Sequence, residues 1–230
     1  RESMSHQSQL VKNTVIIAIG KLSTQILSYL MLPFYTKHVS TSEFGIFDFI
    51  CTVSLFLCPI ITLLMEESMF RFLIDAETKV QKKKIISQTI IYTIIGTLVF
   101  IPISAIILTI CTEYSPLLIF AFIAFVVSNI AIALSNSLAR GLSQIKMYSV
   151  SNFILGALTI IFTLIVIFTK PDAVGLLFAN LIANFAVAFY IFKKLKLSKY
   201  IGKYNKRVMK KMVKYSMPLV PNSISWSIIN

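Results

Sequence analysis

Seven long apolar runs, divided by loops that are alternately rich and poor in lysine and arginine, set the terms for this chain. A helix needs roughly 20 mostly apolar residues to cross the ~30 Å hydrocarbon layer of a bilayer. Residues 13–35, 46–64, 85–111, 117–138, 150–169 and 173–192 each reach that length, and a further run starts at Tyr215 and continues to Asn230 with Pro218 and Pro221 inside it. Composition agrees: 57% of residues are hydrophobic and the mean hydropathy is +0.82, against about 45–50% apolar residues in a soluble domain. The expected fold class is therefore all-α and integral to the membrane, with six complete transmembrane helices forming one lobe and the start of a seventh. The expected divisions are an N-terminal tail (1–9), the lobe (10–192), a basic amphipathic linker helix on the cytoplasmic side (193–214) and the opening of helix seven (215–230), which reads as a span cut short. The tail begins with Arg1, which makes Met4 the expected initiator, and the first apolar run is too long and lacks the small-residue site of a cleaved export signal.

The formal net charge is +13, and its distribution excludes a nucleic-acid reading. Lysines and arginines crowd the loop after the second span (Arg71, Lys79, Lys82, Lys83, Lys84), the loop after the fourth (Arg140, Lys146) and the stretch 192–214, whereas the opposite loops carry only Lys37 and Lys170. The positive-inside rule then places the N-terminus and the basic loops in the cytoplasm. Within the basic stretch, Ile201, Tyr204, Val208, Met212 and Tyr215 recur at helical spacing between lysines. This predicts a helix lying on the inner leaflet, with anionic lipids as its partner and about 1 kcal/mol gained per cation near the surface.

Ionisable groups inside spans are expensive, about 2.5–3.5 kcal/mol at the centre on insertion scales, and each is a candidate for function. Lys21 falls some 12 Å into the first span at ~1.5 Å per residue, with Gln25 one turn further on the same face. It either reaches partway to the inner interface or faces a hydrated cavity where it attracts an anionic group. Asp48, close to the outer start of the second span, is expected to differ from Lys21 in depth by roughly 10–15 Å and reads as an interfacial cap. Glu66, Glu67 and Arg71 gather at the inner end of that span, and the Glu67/Arg71 spacing permits an i,i+4 surface pair or a local gate. Asn129 and Asn136 share one side of span four, as do Asn180 and Asn184 of span six. These amides serve either as glue between helices or as the lining of a polar cavity with Lys21 and Gln25.

Cys51, Cys58 and Cys111 lie within apolar runs without a CxxC, and His6 and His38 are isolated, so no metal site, disulfide or cofactor is indicated. P-loop, GxSxG and HExxH sequences are absent as well, and the chain reads as something other than an enzyme.

Several stretches align with one family. Leu10-Val11-Lys12-Asn13-Thr14 opens a span carrying a cation. Leu32-Pro33-Phe34-Tyr35 and Ser42-Glu43-Phe44-Gly45-Ile46-Phe47 follow, then Ala139-Arg140-Gly141-Leu142-Ser143-Gln144, then 213–223 at the start of helix seven. Their order resembles Wzx-type polysaccharide flippases of the multidrug/oligosaccharidyl-lipid/polysaccharide exporter superfamily, over residues 10–230. The resemblance implies two six-helix lobes around a central cavity and alternating access without ATP hydrolysis. It implies movement of lipid-linked oligosaccharides from the cytoplasmic to the outer leaflet for cell-surface polysaccharide synthesis. The chain would supply the first lobe and the start of the second. The cargo would be a polyprenyl-pyrophosphate-linked glycan, with Lys21 at the cationic position, and polymerases or glycosyltransferases would be the protein partners. Val11-Lys12-Asn13-Thr14 and Val213-Lys214-Tyr215-Ser216 stand at corresponding ends of helices one and seven, as a parallel repeat about the membrane normal requires. Two alternatives stand beside this reading: a cation-coupled multidrug exporter of the same fold, which needs carboxylates in its cavity, and a non-transporting scaffold of an envelope-polymer assembly complex.

Overall fold

The computed structural model of the chain describes residues 29, 31–111 and 113–229. Among these residues every regular element is helical. Residues 31–38 form a helical stretch. It is followed by α1 (Thr41–Thr62), α2 (Met65–Ile74), α3 (Lys79–Cys111), α4 (Pro116–Gly141), α5 (Ile145–Thr169) and α6 (Ala173–Lys194). A 3-10 turn (Leu197–Tyr200), α7 (Lys206–Ser216) and α8 (Leu219–Ile229) complete the chain. Five of these helices, α1, α3, α4, α5 and α6, are long and apolar enough to cross a membrane, and the protein is a multi-pass membrane protein. They coincide with the second to sixth spans expected from sequence; the first, 13–35, lies outside the described residues except for its last turn.

Side chains that free the first turn from unpaired N–H groups set the helix starts. Ser40 caps α1 by accepting from Glu43 N–H (3.3 Å), and Ser115 caps α4 ahead of Pro116 at the first helical position. Asp172 caps α6 through Gly175 N–H (2.8 Å). A second carboxylate adds to the last of these, because Glu43 Oε2 accepts from Ala173 N–H at 2.7 Å and ties the start of α1 to the start of α6.

Between α1 and α2 the chain breaks at two consecutive leucines, Leu63 and Leu64, with φ of 46° and 52°. A β-carbon in the left-handed region costs about 1–2 kcal/mol per residue, so this is a strained corner. Thr62 holds it, with its hydroxyl accepting from Leu64 N–H (3.2 Å) and standing 3.0 Å from Cys58 O.

At the centre of the bundle, α4 packs against α1, α2, α3, α5 and α6. Half of its most apolar window is buried, against 17% for α3, so α4 is a protein-facing helix and α3 turns most of its surface outward. Lipid offers no hydrophobic drive between helices, and close approach matters more. Gly96 of α3 provides it: a β-carbon there would stand 2.5 Å from the carbonyl oxygen of Ile61 on α1.

The expected linker helix, 193–214, is not continuous: Lys193 and Lys194 end α6, Leu197–Tyr200 form the 3-10 turn, and α7 starts at Lys206. Ahead of it the backbone is extended and bonded to α3. Ser87 Oγ donates to Gly202 O (2.8 Å) and accepts from Gly202 N–H (3.1 Å), while Gln88 donates to Lys203 O (3.0 Å) and accepts from Asn205 N–H (2.9 Å). These bonds use the backbone groups that a continuous helix would need, and Asn205 then caps α7 through Val208 N–H at 3.1 Å. Met209 and Met212 of α7 are buried with Met65 and Met69 of α2, so its apolar face meets protein, and Ile201, Tyr204 and Tyr215 remain exposed.

Candidate functional site

Two cavities meet at Asp48. The first, about 410 Å³, lies between residues 31–35, α1, α5 and α6, with Tyr35, Asp48, Thr163, Asn180 and Asn184 in its wall. The second, about 540 Å³, lies between α1, α4 and α8 and is walled by Asp48, Cys51, Cys58, Glu66, Asn129 and Ser223. Asn184 joins their polar sides: its amide donates to Asn129 Oδ1 (2.9 Å) and to Ser128 Oγ (3.1 Å). Asn180 and Asn184 thus stand in the wall of the first cavity and Asn129 and Glu66 in that of the second, with the Asn184–Asn129 bond between them.

The position of Asp48 differs from the sequence expectation. The helix begins at Thr41 with Ser40 as its cap, so Asp48 stands two turns inside it and serves no capping role. The signal was present in Ser40-Thr41-Ser42-Glu43, where a serine followed three residues later by glutamate marks a helix start.

Glu66 also departs from a solvated rim position. It is 8% exposed, lies just past the leucine corner outside the spanning segments, and has its Oε1 3.3 Å from the Thr62 hydroxyl. Burial pushes its pKa up to about 7 against the Thr62 hydrogen bond; Glu67 adds to the rise and Arg140 opposes it.

The pair Glu67/Arg71 does not form. Glu67 Oε1 accepts from Arg140 Nη2 at 2.7 Å, and Arg71 instead bonds Asp75 Oδ2 at 2.6 Å. Arg71 has a carboxylate four residues away on either side, and α4 packing on α2 gives Glu67 a partner on another helix. Arg140 also reaches Ser137 Oγ (3.0 Å) and lies over the rings of Phe70 and Tyr148, 4.6 Å and 5.7 Å from their centroids. Sequence alone places Arg140 among the basic loop charges after the fourth span.

Of the four asparagines singled out from sequence, Asn129, Asn180 and Asn184 line the cavities. Asn136 pairs instead with Asn152 of α5 through reciprocal amide bonds of 3.3 Å and 3.4 Å, which is helix-to-helix glue. Asn152 sits one turn beyond Tyr148 in a stretch read as apolar, and isolated from any partner in sequence it gave no signal. Lys21 and Gln25 lie outside the described residues. Among those described, no group of three or more His, Cys, Asp or Glu is placed to hold a metal ion.

Comparison with known proteins places this geometry. No curated protein matches the chain. A solved structure described as the crystal structure of MATE in complex with MaD3S superposes with a TM-score of 0.70 at 13% identity, covering 95% of this chain and 54% of that one. At that identity the likeness is one of fold, and the chain spans about half the length of the protein it matches. The family model for polysaccharide biosynthesis proteins matches residues 10–230, nearly the whole chain, and the protein belongs to the polysaccharide biosynthesis protein family.

Proposed function

We propose that the chain forms the first lobe of a transporter that moves lipid-linked oligosaccharide precursors from the cytoplasmic to the outer leaflet of a bacterial inner membrane by alternating access. The observation that carries this reading is the Asn184–Asn129 hydrogen bond between two cavities, the first of which Asn180 also lines. A charged sugar headgroup cannot cross hydrocarbon unaided, because stripping water from its charges and hydroxyls costs many kcal/mol. Amides and hydroxyls along a protein interior can take the place of that water, while the lipid tail stays in the bilayer. The family match supports a role in polysaccharide biosynthesis, and the fold likeness to MATE supports a transporter over an enzyme. Lys21 is the residue that the family resemblance assigns to the pyrophosphate, with Gln25 one turn further on the same face of its span. The strained leucine corner between α1 and α2 supplies a place where α1 can bend as access alternates.

The test is protection of an introduced thiol. In a full-length background lacking Cys51, Cys58 and Cys111, Asn180→Cys should react with a small methanethiosulfonate reagent, and a polyprenyl-pyrophosphate oligosaccharide should slow that reaction. Unchanged labelling at saturating lipid would contradict cargo entry into the first cavity.

Cation-coupled export in the same fold is favoured by one specific observation: Asp48 and Glu66 line a single cavity. Such an exporter needs carboxylates in its cavity, and these two stand in one wall. Glu66→Gln separates the two. A proton-driven exporter should lose its dependence on a pH gradient, whereas a flippase driven by cargo supply should not change.

A further inference from the structure

At the basic end of the bundle the linker backbone is fixed with unusual thoroughness, by two side chains that are themselves buried. Ser87 is 2% and Gln88 0% exposed, and together they make four hydrogen bonds to Gly202, Lys203 and Asn205. A buried amide with both ends engaged is costly to disrupt, so the segment 202–205 is held against the first turns of α3. Gly202 has a definite part in this. A β-carbon there would stand 3.3 Å from Lys83 Cε, and its absence lets the lysine stem lie along the linker backbone.

The consequence is a notch of about 210 Å³ with Lys83 and Lys84 of α3 on one side and Lys203 of the linker on the other. None of its described lining residues is acidic. Among the described residues none of the three lysines is in an ion pair; the three pairs that form lie at Arg71/Asp75, Arg140/Glu67 and Lys170/Asp172. Three exposed lysines gathered on a fixed backbone, with no carboxylate among the lining residues, favour an anion. The surroundings say which kind. Val80 and Tyr204 in the wall, and Ile201 beside it, are 63%, 59% and 60% exposed. The apolar run of α3 begins at Ile85, directly after the two lysines. A soluble anion has no use for exposed aliphatic and aromatic surface beside the lysines, whereas a lipid has a phosphate for the ammonium groups and an apolar region for Ile201 and Tyr204.

We infer that this notch binds the phosphate of an anionic phospholipid in the leaflet at the basic end of the bundle. The site is built on the first lobe itself, through Ser87 and Gln88, rather than on a loosely attached tether. It differs from a general attraction of a polybasic segment to an anionic surface, in which any lysine counts alike. The inference does not depend on the cargo, because the notch shares no residue with either cavity around Asp48.

Native mass spectrometry of the full-length protein, titrated with phosphatidylglycerol, phosphatidylcholine or soluble glycerol 3-phosphate, tests it. Phosphatidylglycerol should form a one-to-one adduct preferentially, and Lys83→Gln/Lys84→Gln/Lys203→Gln should weaken that adduct about tenfold or more. Replacing Lys199, Lys206 and Lys210 by glutamine, an equal change in charge outside the notch, should leave it within about twofold. Gln88→Leu, which keeps every lysine and frees the linker, should weaken it as the triple variant does. Equal binding of phosphatidylcholine would overturn the inference without any variant needing to fold. Equal loss in both lysine triples would replace the site by diffuse charge. Binding of glycerol 3-phosphate as tight as that of the lipid would make it a soluble-phosphate site.

Discussion

Arg140 on α4 and Glu67 on α2 meet at 2.7 Å across 73 residues of sequence, and the guanidinium lies at the same time over the Phe70 ring. Its Nε has no hydrogen-bond partner among the described residues, so the charge is held by one carboxylate, one hydroxyl and two rings. The contact fastens the C-terminal end of α4 to the short helix beyond the leucine corner.

Arg140→Ala should lower stability by about 2 kcal/mol, about 1 from a partly exposed ion pair and about 1 from the ring contacts. Glu67→Gln should cost less, because it leaves the rings and the Ser137 bond in place. Thermal unfolding in detergent checks both. A larger loss for Glu67→Gln than for Arg140→Ala would show that the carboxylate, and not the guanidinium, holds the junction.

Asn184 donates to two acceptors on α4. Hydrogen bonds between membrane helices average about 0.6 kcal/mol and reach about 1.7. A double-mutant cycle of Asn184→Ala and Asn129→Ala should therefore return a stability coupling in that range, measured by unfolding in mixed micelles. Transport should fall more than stability does, since the same amides lie in the cavity walls. Loss of stability with transport intact would reduce them to glue.

Glu66 gives the protein a pH response. Burial raises its pKa from 4.5 to about 7, so the folded state favours the protonated form. Stability from this group is full below about 4.5 and lost as pH rises through about 7, an effect on the order of 3 kcal/mol. Glu67 and Arg140 are the charged groups that act on it, and Asp48 shares its cavity. Wild type should unfold more readily at pH 8 than at pH 5, and Glu66→Gln should flatten that difference. A pH profile unchanged by the substitution would assign the response elsewhere.

The two glycines Gly96 and Gly45 should behave oppositely. A β-carbon at Gly96 would press on the Ile61 backbone, whereas at Gly45 nothing lies within 4 Å. Gly96→Ala should cost about 1–3 kcal/mol by forcing α1 and α3 apart. Gly45→Ala should be neutral or stabilise by about 0.5–1 kcal/mol through helix propensity. Unfolding midpoints of the two variants decide it; a neutral Gly96→Ala would show that α3 shifts freely along α1.

The spans were legible because length and apolarity alone decide them, and the structure returns α1, α3, α4, α5 and α6 where those runs lie. Alternating charge likewise marked which loops share an end. Partner choice across helices was not legible. Arg71 has acidic neighbours at i−4 and i+4, and only the path of α4 determines that Glu67 goes to Arg140. Asn136 and Asn129 stand on one side of the same helix, yet one pairs with Asn152 and the other with Asn184, because α5 and α6 pack on α4 at different levels. The amphipathic pattern of 201–215 suggested one continuous helix, and buried Ser87 and Gln88, polar residues at the head of an apolar run, were the signal that this backbone had another partner.

Movement of cargo is the claim to test most directly. A fluorescent polyprenyl-pyrophosphate oligosaccharide in proteoliposomes holding the full-length protein reports it, as the fraction that a membrane-impermeant quencher can reach over time. The account predicts that the initially protected fraction becomes accessible with wild type, and does so much more slowly with Lys21→Ala or Asn184→Ala. Accessibility no faster than in protein-free liposomes, under every ion gradient tried, would contradict it.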